Sequence, residues 1–347
     1  MTKTMSDPVT YRRLGLTETA YRLPACESVL ILFHRHPDGD AIGSGFGLKL
    51  LLEAMGCTAY CVCEDKIPER LRFLTEGMQD SILKENLPSD FAPTQIISVD
   101  TASPAQAGVL YSAYEGRFNL MIDHHAKGEM YADGYIDGHA SSAGELVYRL
   151  SRELVKSGRI PAIPEGVDRL LYAAISSDTG CFKYSNASPE THRAAAVLLE
   201  SAKCPDGRGY DPADINHRLF GIKSYDLLRA EKVGFDRLRL FADGKLGIVD
   251  MPYEVKAANG FTDEHFDTLV DVARGLQGVQ VAVAIRQPTA EGVYRVSMRS
   301  SCHVDVASVC AFFGGGGHVK AAGCTVSCDG GMEKVVSMVV EAIATAL

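Results

Sequence analysis

The sequence is short of positive charge, long apolar runs and paired cysteines, and each shortage excludes a class of protein. It has 35 Lys and Arg against 44 Asp and Glu, which gives a formal net charge of -9. Proteins that follow long nucleic acids contact many phosphates and carry a basic surface. We therefore expect no long nucleic acid among the partners, and any phosphorylated substrate should be small and bound locally.

The apolar segments are short as well. No uninterrupted apolar run reaches about 18 residues, the length that a membrane-spanning helix needs, and residues 1–22 have no apolar signal core. These features predict a cytoplasmic protein without a membrane partner. A chain of 347 residues with 46% hydrophobic content has enough material for two compact domains, each with its own core.

The ten cysteines form no Cys-x-x-Cys pair, and most of them lie in apolar stretches. Reduced thiols that serve as small hydrophobic side chains are the favoured interpretation, and a thiolate metal site is the alternative.

The densest chemistry lies in residues 33–44, which read Phe-His-Arg-His-Pro-Asp-Gly-Asp-Ala-Ile-Gly-Ser. They follow the apolar run 28–33, which predicts a strand buried on both faces. We expect the proline and glycine to bar a regular helix here, so that the turning backbone brings His34, Asp38 and Asp40 together. An imidazole with two carboxylates is a ligand set for Mn, Mg, Fe or Zn, and an Asp-Gly turn with a capping Asp40 is the alternative.

Short apolar strands alternate with helical stretches along the first half of the chain, which predicts an α/β fold: a mostly parallel sheet with flanking helices. The predicted strands are 28–33, 57–63, 95–99 and 118–122, and the predicted helices include 44–55 and 104–114. Ligands of such sheets bind beyond the carboxyl ends of the strands, so the residues that follow each strand are the candidates for function.

Three further candidates stand at such ends. Asp100 closes one strand, although it could simply cap a helix. Asp123, His124 and His125 close the next strand, where adjacent imidazoles have no packing reason to occur. Asp178 ends a helical run and, taken alone, could be an ordinary helix terminus.

The negative charges of four candidate residues indicate that they share one site. The carboxylates of Asp38, Asp40, Asp100 and Asp178 would repel one another strongly in a cleft of low dielectric constant. Two divalent cations would balance four such charges, so the cluster predicts bound metal.

In order and spacing, these motifs resemble those of the DHH phosphoesterase superfamily across residues 28–180. The resemblance implies two divalent metal ions, manganese in most relatives, and metal-assisted hydrolysis of phosphorus esters or anhydrides. It implies that one ion is held by His34, Asp38 and Asp100, and the other by Asp40, Asp100, His124 and Asp178. By the same resemblance Asp100 bridges the ions, His125 faces the phosphoryl group, and the catalytic residues are Asp40, Asp100 and His125. His36 departs from the residue common in relatives and is not assigned as a ligand.

The composition shifts after the first motifs, because residues 203–214 are rich in Gly, Pro and Asp, as expected at a domain boundary. We expect a metal-binding domain over 1–203, a largely helical linker over 204–238 and a smaller α/β domain over 239–347. In the last domain the predicted strands are 246–251, 279–287 and 293–300, and the predicted helices are 263–276 and 304–313.

Four glycines at 314–317 precede His318. We expect this run to lie directly before a helix, with its bare amides open to an anion, and a flexible linker is the alternative. The pattern Gly-Gly-Gly-His-x-x-Ala-Ala-Gly resembles the substrate-binding motif of the DHHA1 domain. The resemblance implies that substrate is bound by Arg299, Gly315, Gly316, Gly317 and His318.

As a whole, the chain resembles the family of bifunctional oligoribonucleases and 3'-phosphoadenosine 5'-phosphate (pAp) phosphatases. That resemblance implies hydrolysis of RNAs a few nucleotides long to mononucleotides and of pAp to AMP, and it leaves a homodimer open. A phosphodiesterase for linear or cyclic signalling dinucleotides, or an exonuclease for short single-stranded DNA, is the alternative. A catalytically silent nucleotide-binding module should have lost a ligand position, and every ligand position is filled.

Overall fold

The computed structural model describes residues 10–79, 81–202, 209–266, 268–344 and 347. It divides the chain into two compact units, Met1–Ile222 and Lys223–Leu347. The expected boundary at residues 203 and 204 lies outside the described residues, as does Cys204, and the expected domain limits stay predictions. The nine described cysteines are free thiols.

The first unit is built on a five-stranded parallel sheet with the order β2-β1-β3-β4-β5. The strands are β1 (Ser28–Leu32), β2 (Thr58–Val62), β3 (Gln95–Val99), β4 (Leu120–Asp123) and β5 (Gly134–Ile136). Every neighbouring pair is parallel, which confirms the predicted sheet. β1, β3 and β4 are buried almost throughout because helices cover the sheet.

The helices of this unit include α1 (Leu16–Arg22), α2 (Gly39–Ala54), α3 (Pro104–Ala107), α4 (Val109–Tyr114), α5 (Ala143–Lys156), α6 (Val167–Asp178), α7 (Pro189–Leu199) and α8 (Pro212–Asn216). Shorter turns cover Glu69–Leu74, Lys84–Asn86 and His217–Gly221. The long helices α2, α5 and α6 pack on one another and form one side of the core.

Two helix predictions need correction. α2 begins at Gly39 rather than at residue 44, because Asp38 caps it: its Oδ1 accepts hydrogen bonds from the backbone N–H groups of Asp40 and Ala41, each 3.0 Å. The proline does not interfere, since it precedes the cap. The helix predicted over 104–114 is divided at Gly108, whose φ of +61° breaks the helical path.

The second unit contains a six-stranded sheet with the order β10-β11-β9-β8-β7-β6. The strands are β6 (Leu238–Phe241), β7 (Leu246–Met251), β8 (Val281–Arg286), β9 (Val293–Ser300), β10 (Gly316–His318) and β11 (Ala321–Ser327). The helices include α9 (Tyr225–Asp236), α10 (Tyr253–Asn259), α11 (Leu269–Arg274), α12 (Val306–Phe312) and α13 (Gly331–Ala344), with a short turn at Asp263–Phe266. Only β7 and β8 pair in parallel, so this unit is a mixed α/β domain, as expected.

The two faces of this sheet differ at β9, although α9 and α11 cover the second face over β7 and β8. Tyr294, Val296 and Met298 of β9 are buried in a cluster with residues of α12 and α13. The alternate residues Arg295 and Ser297 are only partly buried, because β9 has a period-2 pattern with one covered face.

The prediction that the glycine run lies directly before a helix is wrong, and its expected role in binding an anion stays a prediction. The run follows the end of α12 and leads into β10, so no helix begins after it, and the N-terminus of α12 is already capped by Asp305. Two of the four glycines are needed for close packing. A Cβ at Gly315 would lie 2.2 Å from the carbonyl oxygen of Gly323, and one at Gly317 would lie 2.6 Å from that of Ala321. The run therefore lets the edge strand β10 lie flat against β11.

Candidate metal centre

The candidate centre lies at the carboxyl edge of the parallel sheet in the first unit. β1, β3 and β4 are adjacent and parallel, so the residues that follow them meet at one edge. His34 follows β1, Asp100 follows β3, and His124 follows β4. Asp100 adopts a φ of +52°, an uncommon conformation for a residue other than glycine, which turns the chain at this point.

The first turn of α2 contributes two carboxylates. Asp38 is the cap residue described above, and its side chain is 45% exposed. Asp40 is fully buried, and its carboxylate accepts hydrogen bonds from the backbone N–H groups of Ala143 (2.7 Å) and Gly144 (2.8 Å). These donors are the first residues of α5, and a helix N-terminus favours a negative charge.

Sequence analysis missed α5 and therefore missed these donors. A signal was present, because Ser142 stands three residues before Glu145, the spacing of a helix-capping pair. In the structure, the Ser142 side chain accepts from the Glu145 N–H at 3.0 Å.

Two groups of side chains are brought together, each with candidate ligand atoms within 4.8 Å of one another. In the first, His34 Nε2 lies 3.3 Å from Asp100 Oδ2 and 3.8 Å from Asp38 Oδ1. In the second, His124 Nε2 lies 3.3 Å from Asp178 Oδ2 and 3.7 Å from Asp40 Oδ2.

Asp100 adjoins both groups. Its Oδ2 faces His34, and its Oδ1 lies 3.4 Å from His124 Nε2. All six residues named as metal ligands from the sequence therefore converge in the structure. The helix cap is Asp38 and not Asp40, the residue named in the alternative interpretation, so Asp38 is both a cap and a candidate ligand.

His125 has different neighbours. Its Nδ1 lies 2.8 Å from Oδ1 of the buried Asp123 and 3.8 Å from Asp100 Oδ1, and these three residues form a further group within 4.8 Å. A carboxylate that accepts from Nδ1 orients the ring and leaves Nε2 as the atom that can contact a ligand. The pairing of Asp123 with His125 was not predicted, although the two residues are only two positions apart.

His34 is oriented in a similar way. Its Nδ1 lies 2.7 Å from the carbonyl oxygen of Arg35, which can only accept a hydrogen bond, so Nδ1 carries the proton. In the neutral ring, Nε2 is then the ligand atom, and it is the atom that faces Asp38 and Asp100. His36 is 67% exposed and pairs with Asp65, which agrees with its exclusion from the ligand set.

The shifted pKa values of the aspartates indicate that the cluster has too little positive charge to balance its carboxylates. Burial, and then the negative charges of Asp100 and Asp178, raise the pKa of Asp40 well above its usual range. Burial likewise raises the pKa of Asp178 to about 7. The pKa of Asp100 is held well below its usual range, because the nearby imidazoles of His124 and His34 outweigh its burial.

Burial has the opposite effect on the pKa values of the two imidazoles. Burial alone would lower the pKa of His34 and of His124, but the carboxylates around them, Asp100 first, raise both values well above the usual range. In the protein alone, protons therefore supply the positive charge that the carboxylates require.

The residues fit divalent metal ions. Within the described part of the chain, the ion pairs of Asp38, Asp40, Asp100 and Asp178 are all to imidazoles, and none is to Lys or Arg. Asp100 Oδ1 is buried without a hydrogen-bond partner among these residues. Buried carboxylates need a compensating charge, and carboxylate oxygens with imidazole nitrogens are suitable ligands for such ions.

The substrate residues named from the sequence lie in the second unit. Arg299 of β9 is opposite Ala321 of β11, which is opposite His318 of β10. Residues directly opposite in antiparallel strands point to the same face, so Arg299 and His318 share a face of the sheet. Arg299 Nη1 donates to the Met298 carbonyl at 3.0 Å. Gly316 has open space around its Cα, unlike the tightly packed Gly315 and Gly317.

A parallel sheet with a buried carboxylate and imidazole cluster at its carboxyl edge defines a metal-dependent hydrolase. Residues 28–175 match the DHH family, N-terminal domain, and residues 250–345 match the DHHA1 domain. The chain is 31% identical to "Bifunctional oligoribonuclease and PAP phosphatase NrnA" of Thermus thermophilus, over 92% of this chain and 91% of that protein. The chain belongs to this family of DHH phosphoesterases with a DHHA1 domain, which confirms the resemblance seen in the sequence.

Two further similarities bear on the fold and the substrate. The crystal structure of an exopolyphosphatase-related protein from Bacteroides fragilis matches with a TM-score of 0.79 at 23% identity and covers 92% of both chains, which shows a shared fold. "Cyclic-di-AMP phosphodiesterase PdeA" of Listeria monocytogenes is 24% identical over 85% of this chain and 44% of that protein. Among the described helices, none has the length and apolarity needed to cross a membrane.

Proposed function

We propose that this chain is a two-metal hydrolase that cleaves oligoribonucleotides of a few nucleotides to mononucleotides and converts pAp to AMP, with manganese as the metal. The observation that carries the proposal is the pair of ligand groups that share Asp100. The name of the Thermus thermophilus relative supports the substrate class.

In this proposal His34, Asp38 and Asp100 hold one ion, and Asp40, Asp100, His124 and Asp178 hold the other. Bound divalent ions supply a nucleophile at neutral pH and stabilise the charge that develops on the phosphoryl oxygens. Asp100 fixes the separation of the two sites because each of its oxygens faces a different group. The amides of Ala143 and Gly144 hold Asp40 in position, and a fixed ligand keeps the site ready for substrate.

His125 acts on the substrate rather than on the metal. Its ring is oriented by the 2.8 Å contact between Nδ1 and Asp123, and we assign Nε2 as the atom that contacts a phosphoryl oxygen. Burial alone would lower the pKa of His125, but its hydrogen bond to Asp123 raises the pKa overall, and this favours a ring that donates a proton. A donor aimed at the oxygen where charge develops stabilises the transition state.

The second unit binds the remainder of the substrate. Arg299 and His318 share one face of its sheet, and the glycines at 315–317 keep the neighbouring edge strand free of side chains. Arg offers a planar, permanently charged donor for phosphate. Binding energy from groups remote from the reaction can increase the catalytic efficiency of a well-positioned substrate.

A substrate panel tests the proposal. The manganese-loaded protein is given RNAs from two to roughly twenty nucleotides long, short DNAs, pAp, and linear and cyclic dinucleotides, with the Asp100→Asn variant in parallel. We expect turnover of the shortest RNAs and pAp, a steep loss with RNA length, and loss of all turnover in the variant, because the shared charge is removed. The exposed Asp90→Asn variant is the matched control and should keep full activity.

Equal turnover by the Asp100→Asn variant and the parent at saturating manganese would contradict the metal-centre assignment. A phosphodiesterase for signalling dinucleotides is the second candidate, and the similarity to PdeA over 85% of this chain favours it. It predicts that cyclic or linear diadenylates are hydrolysed faster than RNAs of three or more nucleotides and faster than pAp.

A further inference from the structure

One face of the second unit's sheet carries a row of polar side chains along β9. Arg295, Ser297 and Arg299 are partly buried alternate residues of this strand, so all three point to the same face. Between the two arginines, Ser297 and its cross-strand neighbour Gly323 project at most a hydroxymethyl group. The surface of the sheet between the two arginines therefore carries only small side chains.

Arg295 is weakly engaged within the protein. Its ion pair among the described residues is a 3.7 Å contact with Asp263 Oδ2, and its side chain is 38% exposed. The other oxygen of Asp263 accepts from Lys256 at 2.5 Å, which is the shorter contact. A guanidinium at 3.7 Å from a carboxylate that already has a partner gains little stability from it.

The position of Arg295 in the sheet also calls for an explanation. It lies directly opposite Arg286 of β8, which donates to the Asp263 carbonyl oxygen at 3.3 Å. Like charges directly opposite each other destabilise a pair of strands. A cluster of three cationic side chains, Lys256, Arg286 and Arg295, is therefore gathered at this end of β9 at some cost in stability.

The spacing along β9 separates this cluster from Arg299. Arg295 and Arg299 are four residues apart on one strand, which corresponds to roughly 13 Å at the usual rise per residue. Two guanidinium groups carried on Cα atoms this far apart are better spaced for two phosphates than for one. An extended phosphodiester chain running along β9 could place one phosphate at Arg299 and a later one at Arg295.

We propose that Arg295, supported by Lys256 and Arg286, forms a second phosphate subsite that binds the backbone of an oligonucleotide further along the chain than the phosphate at Arg299. The subsite rests on the proposed function for its ligand class, a single-stranded phosphodiester. It acts on affinity and length preference, and it takes no part in the chemical step. Dinucleotides and pAp are too short to reach it from Arg299.

Binding without hydrolysis tests the subsite. Fluorescence anisotropy of end-labelled RNAs from two to about ten nucleotides is measured on the full chain with EDTA present, over a series of salt concentrations. In the Arg295→Ala variant we expect the longer RNAs to bind on the order of three- to tenfold more weakly, with dinucleotide binding unchanged. The slope of log K against log salt should become shallower by about 0.7, the value for one phosphate contact to a single strand.

Two variants control for other causes. Arg295→Lys keeps the charge and should keep most of the salt slope, which separates loss of the contact from loss of folding. Arg193→Ala removes an exposed arginine that pairs with Glu190 on α7 and changes the net charge equally. It should match the parent at every RNA length.

The outcomes separate the subsite from the proposed function. If the chain binds longer RNAs with this salt dependence but hydrolyses none, the subsite stands and the proposed function fails. If the chain hydrolyses short RNA while Arg295→Ala leaves length dependence and salt slope unchanged, the subsite is wrong. A parent chain that binds no RNA of any length also overturns it.

Discussion

At the scale of single residues, the centre depends on carboxylates that have no Lys or Arg partner among the described residues. Asp100 lies within 4 Å of His34, His124 and His125, and its Oδ1 has no hydrogen-bond partner among the described residues. Such a group is costly to bury unless it is neutralised or bound to a metal. The charge balance of the site is therefore the property that substitutions and pH should change.

The two adjacent histidines should differ in what they control. The His124→Ala variant should bind manganese more weakly, because Nε2 of His124 faces the carboxylates of the second ligand group. The His125→Ala variant should retain manganese but turn over more slowly, on the order of a hundredfold, because it loses a donor to the phosphoryl group. Calorimetric titration of manganese and single-turnover kinetics measure the two effects. The assignment fails if His125→Ala is the variant that loses the metal.

The stability of the metal-free protein should fall as pH rises from about 5 to 8. The folded pKa of Asp178, about 7, lies above its unfolded value of 3.8, so ionisation increasingly destabilises the folded state between those values. The pKa values of His34 and His124 are raised, so their contribution is complete below about 6.5 and is lost as pH rises through the folded values. Both effects have the same sign.

Manganese should oppose this loss, because it replaces the protons and binds more tightly as they leave. Urea denaturation at several pH values, with EDTA and then with excess manganese, checks the prediction. The difference in the free energy of unfolding should widen with pH. A metal-free protein that becomes more stable across this range would contradict it.

At this scale the sequence predicted which side chains converge, because five of the six follow strand ends or sit in one short loop, and the sixth, Asp178, ends a helix. The amides that hold Asp40 could not be found in the same way. Ala143 and Gly144 are 103 and 104 residues away in the sequence, and the contact arises only when α5 packs against α2.

At the scale of helices and strands, the position of Asp40 depends on how closely α2 approaches α6. Gly43 lies at the crossing, where a Cβ would be 2.5 Å from the carbonyl oxygen of Leu170 and 2.9 Å from the Cβ of Ala174. Gly39, at the start of α2, would place a Cβ 2.5 Å from Ser177 Oγ. These glycines allow two helices that carry ligands, Asp40 and Asp178, to lie together.

The Gly43→Ala variant should be destabilised by about 1–3 kcal/mol, because an added methyl group overpacks this crossing. It should also bind manganese more weakly, since Asp40 lies one turn earlier on the same helix. Gly275→Ala is the matched control: its φ of -74° suits any residue, so a change of no more than about 0.5 kcal/mol is expected. Urea denaturation and manganese titration measure both effects. An unchanged Gly43→Ala variant would show that the helices can separate freely.

The strands predicted from apolar runs lie close to β1–β4 and β7–β9, whereas β5, β6, β10 and β11 were not predicted. The errors arose where one local signal competed with another. Gly39 was taken as a helix breaker, but the cap at Asp38 outweighs it. The glycine run was taken as a phosphate loop before a helix, but the close approach of β11 explains it.

At the scale of the whole molecule, the chain combines a unit that carries the candidate metal centre with a unit that carries the candidate substrate-binding residues. A metal site alone has no means to measure substrate length. The candidate binding residues Arg299 and His318 lie in the second unit, and their shared face follows from the strand register. Sequence resemblance named these residues, but the register that aligns them emerged only from the sheet, as did the place of Arg295 in the same row.

The Arg299→Ala variant should lose catalytic efficiency on dinucleotides by on the order of ten- to a hundredfold, which corresponds to one charge-assisted contact of roughly 1.5–3 kcal/mol. Hydrolysis of a small nitrophenyl phosphate diester should fall far less, because that ester is too small to use a second binding group. Steady-state kinetics with both substrates measure the ratio, with Arg193→Ala as control. An equal loss of catalytic efficiency on the dinucleotide and on the ester would contradict the assignment of Arg299 to substrate binding.

The proposed hydrolysis by two metal ions that share Asp100 can be tested by metal titration. The rate of AMP release from a diadenylate RNA is measured while manganese is titrated into the metal-free protein. We expect no release without metal, a sigmoidal rise because two ions must bind, and no rise for Asp100→Asn. Full-rate release with a chelator present, or an Asp100→Asn variant that follows the parent curve, would contradict it.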